Sequence, residues 1–240
     1  MREPPIFVCI HPNCVPRFPE LPHAQMIQFS LFNIPVRVLP WFWLTLAFIG
    51  GVLRADTRSE IFELLLFMLA GFISILVHEL GHALTAKHFG KRVEIVLQAF
   101  GGYAAYSGGG RLSRFQSFLI IAAGPAIQIL LGVAALILVI QVEGLSPYGK
   151  YFFVKLCQVS IIWAVLNLIP VLPMDGGRIL ETLLGPQRLR LTLQISIAVA
   201  VIIVILSLVY NIGMLLPLLP IFMGLMAYEN YKSLKSISWM

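Results

Sequence analysis

Apolar residues fill this chain in long blocks, and polar residues are confined to short stretches between them. Six blocks read as helices through a bilayer: residues 38–53, 61–89, 115–142, 151–172, 191–210 and 212–231. A hydrocarbon core about 30 Å thick needs roughly 20 consecutive apolar helical residues, so the first block is short. The second and third are long enough to tilt or to project beyond the bilayer. Two stretches follow a different pattern. Residues 1–25 combine many prolines with scattered charge and read as a poorly ordered arm. Met26 opens a better-patterned segment and is a second candidate start. Residues 93–106 (VEIVLQAFGGYAAY) place Gly101-Gly102 inside an apolar and aromatic run, which predicts a β-hairpin at the membrane surface. Gly108-Gly109-Gly110 then reads as a flexible joint. The fold expected is an all-α polytopic membrane protein of about six transmembrane helices, with a small membrane-associated β-hairpin or sheet after the second span. The arm 1–25 would precede an integral membrane domain over 26–240.

Composition agrees. Of 240 residues, 59% are hydrophobic and only 12% charged, with a mean hydropathy of +0.89. A soluble domain carries about 25% charged residues. The net charge of +6 does not point to nucleic acid, because the basic residues lie in loops flanking apolar blocks. With six spans, Arg54, Arg58, Lys150 and Lys155 fall on one side and the other thirteen Lys and Arg residues on the opposite side. The positive-inside rule then places both termini in the cytoplasm, as in a bacterial-type cytoplasmic membrane. Three cysteines offer no disulfide framework, and no cleavable signal peptide is visible. Cys9, His11 and Cys14 lack a second pair of metal ligands at suitable spacing, so a structural or incidental role is the better reading.

The chemistry sits at the end of the second block. His78-Glu79-Leu80-Gly81-His82 is an HExxH sequence. Residues four apart on a helix share a face, so His78 and His82 can chelate one Zn²⁺ while Glu79 acts as general base on an attacking water. Ionisable groups inside a membrane helix are costly, and their default reading is a functional site. A catalytic zinc takes three protein ligands and keeps one position open. The chain has two aspartates. Asp56 falls on the side away from His78. Asp175 follows the fourth block, which runs toward the cytoplasmic side as the second does, so Asp175 reaches the depth of the two histidines. Glu181 is the reserve candidate. Pro170 and Pro173 break the fourth helix just before Asp175. Non-helical backbone at that depth is tolerated only where protein or water satisfies it. Asn167, at the break, is either a donor to a substrate carbonyl or oxyanion, or a helix-packing amide.

These motifs together resemble the site-2 protease family of intramembrane zinc metalloproteases. HELGH, then Ala123-Gly124-Pro125, then NLIPVLPMDGG over 167–177 stand in the family's order and spacing across a core of residues 61–184, and Pro35-Val36-Arg37-Val38 with Pro40 resembles the entry to its first span. The resemblance implies one Zn²⁺ per chain held by His78, His82 and Asp175, with Glu79 as catalytic base and Asn167 on the substrate or oxyanion. It also implies that the 93–106 hairpin belongs to a sheet able to pair with an extended substrate. Gln128 stands where the family often has Asn, which keeps an amide for a substrate or oxyanion contact, and Leu39 stands where His is frequent. A minimal member without PDZ or CBS domains is implied. The function expected is hydrolysis of a peptide bond in or near a transmembrane segment of a substrate protein, in regulated intramembrane proteolysis at the cytoplasmic side. The partners are that substrate and the bilayer, with no nucleic acid; oligomeric state is left open. A zinc transporter would use several weak sites along a path, and a catalytically inactive membrane scaffold would not need Glu79. A membrane zinc protease with Glu181 as third ligand is the nearest rival.

Overall fold

The computed structural model describes residues 26–99, 101–108, 110–210 and 218–237. The 1–25 arm, with Cys9, His11 and Cys14, lies outside the described residues. The chain divides into two units. The first contains residues 26–112 and 122–165, the second residues 113–121 and 166–237.

The first unit begins with a hairpin, β1 (Ile27–Leu31) and β2 (Ile34–Val38). Its two turn residues, Phe32 and Asn33, both have left-handed φ, 51° and 56°. That backbone matches the right-handed twist of the flanking strands. The Lys87 ammonium donates to the Phe32 carbonyl at 2.7 Å and pins the turn. Along β2, Ile34, Val36 and Val38 are buried while Pro35 and Arg37 are exposed, the period of two of a half-buried strand. β2 pairs parallel with β3 (Arg92–Gln98), and β3 pairs antiparallel with β4 (Gly101–Ser107). The sheet order is β1-β2-β3-β4, which leaves β4 as an edge strand. The hairpin expected over 93–106 is therefore present. The two strands before it are an addition, and their period-two pattern over 34–38 was the available signal.

The crossover between β2 and β3 is α1 (Pro40–Ile49), a single 3₁₀ turn, and α2 (Arg58–His88). Pro40 opens α1 at a position where its missing N–H is not needed. The first block is thus not one span over 38–53. Val38 ends a strand, and α1 has 10 residues, about 15 Å, half of a bilayer core. α2 has 31 residues, about 46 Å. It starts at a capping box, in which the Thr57 hydroxyl accepts from the Glu60 N–H and the Glu60 carboxylate accepts from the Thr57 N–H at 2.8 Å. The inner face of the sheet packs on α1 and α2 in one cluster: Ile34, Val36, Val38, Ile95 and Leu97 against Phe42, Leu46, Ile75, Leu76, Leu80 and Ala83. α3 (Arg114–Gln141) and α4 (Pro147–Asn167) follow, and Ala70, Ala135 and Leu156 form a second cluster within this unit.

The second unit contains α5 (Asp175–Leu184), α6 (Leu189–Val209) and α7 (Leu219–Ile237). Val171, Ala200 and Met226 are its buried core. Among the described residues four helices are long and apolar enough to cross a membrane: α2, α3, α4 and α6 with the turn before it. α7 carries Glu229, Lys232 and Lys235 in its second half and is not among them. Residues 211–217, which include the start of the sixth block, lie outside the described residues. The architecture is that of an integral membrane protein with a small four-stranded sheet.

Thr57→Ala removes the cap of α2 and is expected to lower stability by about 1 kcal/mol, read as a lower thermal midpoint of the purified protein.

Candidate functional site

α2 puts His78 and His82 one turn apart on one face, and both are buried, 3% and 8% exposed. Their rings meet edge to face, and the two Nε2 atoms lie 3.1 Å apart. Two nitrogens bound tetrahedrally at about 2.0–2.1 Å from one zinc stand about 3.3 Å apart. The pair therefore fits a shared metal ion without rearrangement. Imidazole nitrogen is also the donor that zinc favours. Glu79, 4% exposed, follows on the adjoining face.

Small residues let other elements reach this face. A Cβ on Gly124 of α3 would fall 2.2 Å from His82 Nε2, so the backbone of α3 passes directly over that ring. One turn later Gln128 meets His78, its Oε1 at 2.9 Å from Nδ1. Gly81 brings α2 against the Ala123 carbonyl, where a Cβ would lie 2.6 Å from the oxygen. From the sheet, Gly102 of β4 packs on Glu79, and a Cβ there would fall 2.8 Å from Cγ. The edge strand therefore begins against the carboxylate that HExxH chemistry needs. Trp163 of α4 covers the neighbouring Gly101, and a small cleft opens there between Phe42, Thr45, Gln98 and Trp163.

The second unit holds the other candidates. Asn167, half-buried, is the last residue of α4. After it the chain leaves the helix through residues 168–174, as the two prolines required. This segment is fastened by two groups that sequence reasoning missed. Ser196 Oγ of α6 accepts from the Leu172 N–H at 3.2 Å, and Asn230 Nδ2 of α7 donates to the Leu172 carbonyl at 2.8 Å. Both are polar residues that are buried, and the Ser196 hydroxyl within the apolar α6 was the one signal available in the sequence. Asp175 is the first residue of α5, after extended Met174. Gly176 and Gly177 fold the head of α5 back on the segment, since Cβ atoms there would fall 2.1 Å from the Leu168 carbonyl oxygen and 2.5 Å from the Leu172 nitrogen. Asp175 is thereby fixed by backbone packing.

Gln128 is wholly buried, and both ends of its amide have partners inside the first unit. Glu181 lies six residues beyond Asp175, about 9 Å along α5. Burial pushes its carboxyl above the ordinary carboxylate range, with Arg178 acting in the opposite direction.

The model of peptidase family M50 matches residues 66–149 and 146–210. A zinc metalloprotease of Methanocaldococcus jannaschii is 34% identical over 157 residues, 65% of this chain and 44% of its own length. The stage IV sporulation protein FB of Bacillus subtilis is 31% identical over 156 residues, 64% of this chain and 49% of its own. The chain thus spans less than half the length of these relatives. The solved structure of the site-2 protease from M. jannaschii superposes with a TM-score of 0.62 at 24% identity, covering 87% of this chain and 95% of that one, a likeness of fold. The chain belongs to peptidase family M50, the site-2 protease family of membrane metalloproteases.

Asn230→Leu leaves the Leu172 carbonyl without its amide donor and is expected to lower stability by about 1–3 kcal/mol, visible as a lower thermal midpoint. Gly176→Ala is expected to lower it further, because the atom it meets is backbone.

Proposed function

We propose that this protein is an intramembrane zinc endopeptidase that cleaves a substrate protein in or near a transmembrane segment, on the cytoplasmic side, in regulated intramembrane proteolysis. The observation that carries the reading is the pair of imidazole nitrogens converging at 3.1 Å, beside a buried glutamate that the edge of a sheet approaches. His78 and His82 would hold the ion, Asp175 would supply the third ligand, and one Zn²⁺ per chain follows from one such pair. When bound, zinc lowers the pKa of a coordinated water toward about 7 and polarises the scissile carbonyl.

The chain's own groups do the rest. Glu79 takes a proton from the attacking water and delivers it to the leaving amine. Glu79 is buried, 4% exposed, within α2. The Asn167 side-chain amide donates to the oxyanion formed on attack. A substrate helix must open before attack, because its carbonyls are occupied by its own N–H groups. β4 is the last strand of the sheet and begins at Gly101 and Gly102, next to Glu79, and an unwound segment laid along it regains backbone hydrogen bonds. The partners are therefore a transmembrane protein substrate and the lipid bilayer. Divided by six spans, the excess of Lys and Arg on one side supports cytoplasmic termini.

Glu79→Gln is expected to keep zinc and lose cleavage of a reporter transmembrane substrate by at least about 100-fold; a variant that still cleaves would refute the base assignment. Asp175→Ala is expected to lower zinc content in the purified protein and Glu181→Ala to leave it unchanged, as measured by elemental analysis. The reverse result would transfer the third ligand to Glu181.

A further inference from the structure

Three helices of the first unit contribute to one buried chain of polar groups that ends on His78. Ser160 Oγ of α4 donates to Ser74 Oγ of α2 at 3.0 Å. Gln128 Nε2 of α3 lies 2.9 Å from the same Ser74 hydroxyl and 3.3 Å from the Ser74 carbonyl oxygen. Gln128 Oε1 lies 2.9 Å from His78 Nδ1. Ser74, Gln128 and Ser160 are each 0% exposed. A buried polar network of this kind is justified only when its members satisfy one another.

The chemistry of the network decides more than packing. A carbonyl oxygen only accepts, so the end of the Gln128 amide facing the Ser74 carbonyl must be the NH₂. The oxygen end then faces His78. An oxygen cannot face the lone pair of Nδ1 at 2.9 Å, so Nδ1 carries the proton. Neutral His78 is left with its lone pair on Nε2, the atom that meets His82 Nε2. In free histidine the favoured neutral tautomer carries its proton on Nε2, which would block that position. The opposite amide orientation would set two acceptors against each other at Ser74 and leave His78 in the blocked form.

We infer that Gln128 is a positioning residue for the metal site: its amide, oriented by the Ser74 carbonyl and by the Ser160–Ser74 hydroxyl pair, holds His78 in the Nδ1–H tautomer and aims Nε2 at the ion. Gln128 therefore acts through His78 and does not itself contact substrate. The matched spacing explains why it can. Gly124 lies on His82 and Gln128 on His78, so the four-residue step of α3 repeats that of α2. This assignment rests on the zinc-protease reading for its purpose, but the tautomer it predicts exists in the metal-free protein.

The test uses the full chain in detergent with ¹⁵N-labelled histidine, first without metal. The His78 signal, assigned by its loss in His78→Ala, is expected to report Nδ1–H in the wild type and to shift to Nε2–H in Gln128→Leu. Zinc affinity, by competition with a chelator, is expected to fall 10–100-fold in Gln128→Leu. Activity of that variant should return at saturating zinc, as a ligand-orienting role requires and a substrate contact does not. A wild-type His78 with its proton on Nε2 overturns the inference without any variant, so a misfolded Gln128→Leu does not protect it. Unchanged zinc affinity in a folded Gln128→Leu overturns it as well. If His78→Ala binds zinc as tightly as the wild type, the zinc-site reading fails instead, and the tautomer measurement still judges Gln128.

Discussion

Everything in the first unit answers to one constraint: two imidazoles and a carboxylate are buried in a helix built to cross hydrocarbon. Each such group carries a solvation cost that only neighbours can offset. The neighbours therefore have to come within hydrogen-bond reach of α2, and they can do so only where they have no side chain in the way. Gly124 and Gly81 let α3 approach, and Gly102 admits β4. The polar groups that remain, Gln128, Ser74 and Ser160, are spent on one another and on His78. The glycines and the amide are thus parts of the same solution, removal of steric volume in one place and supply of a hydrogen-bond partner in the next.

The second unit meets a related constraint. A chain that leaves a helix among apolar helices exposes backbone groups with no water to receive them. The segment after Asn167 hands its Leu172 N–H to Ser196 and its Leu172 carbonyl to Asn230. Gly176 and Gly177 then close the head of α5 on it. Asp175 gains a fixed backbone from helices that touch the chain just before it.

The sequence made the ionisable residues easy to read and the supporting ones hard. HELGH is a local pattern whose meaning follows from helical pitch, and Asp175 stood out because the chain has only two aspartates. The 93–106 hairpin was legible from its glycines. The strands over 27–38 were less so: the alternation over 34–38 was visible, but five-residue strands beside an apolar block read as its approach, and the burial that sorts Ile34, Val36 and Val38 comes from a partner about sixty residues away. The bounds of the first block blurred at the same place: Val38 is apolar in a strand as it would be in a helix. The direction of the Gln128 amide was not legible, since an amide near a motif carries no sign of which way it points. Only the Ser74 carbonyl, supplied by the fold, orients it.

The equal four-residue spacing on α2 and α3 has a wider implication. Because Gly124 faces His82 and Gln128 faces His78, sliding α3 by one turn would set Gln128 against the crowded ring of His82 or carry it beyond His78 altogether. Intermediate displacements bring other side chains of α3 onto the rings. The two helices therefore have one workable alignment, separated from the next by a full turn of about 5.4 Å. Thermal motion of the bundle can rock α3 but cannot gradually detune the histidine pair. The site is indexed, as a key is by its notches.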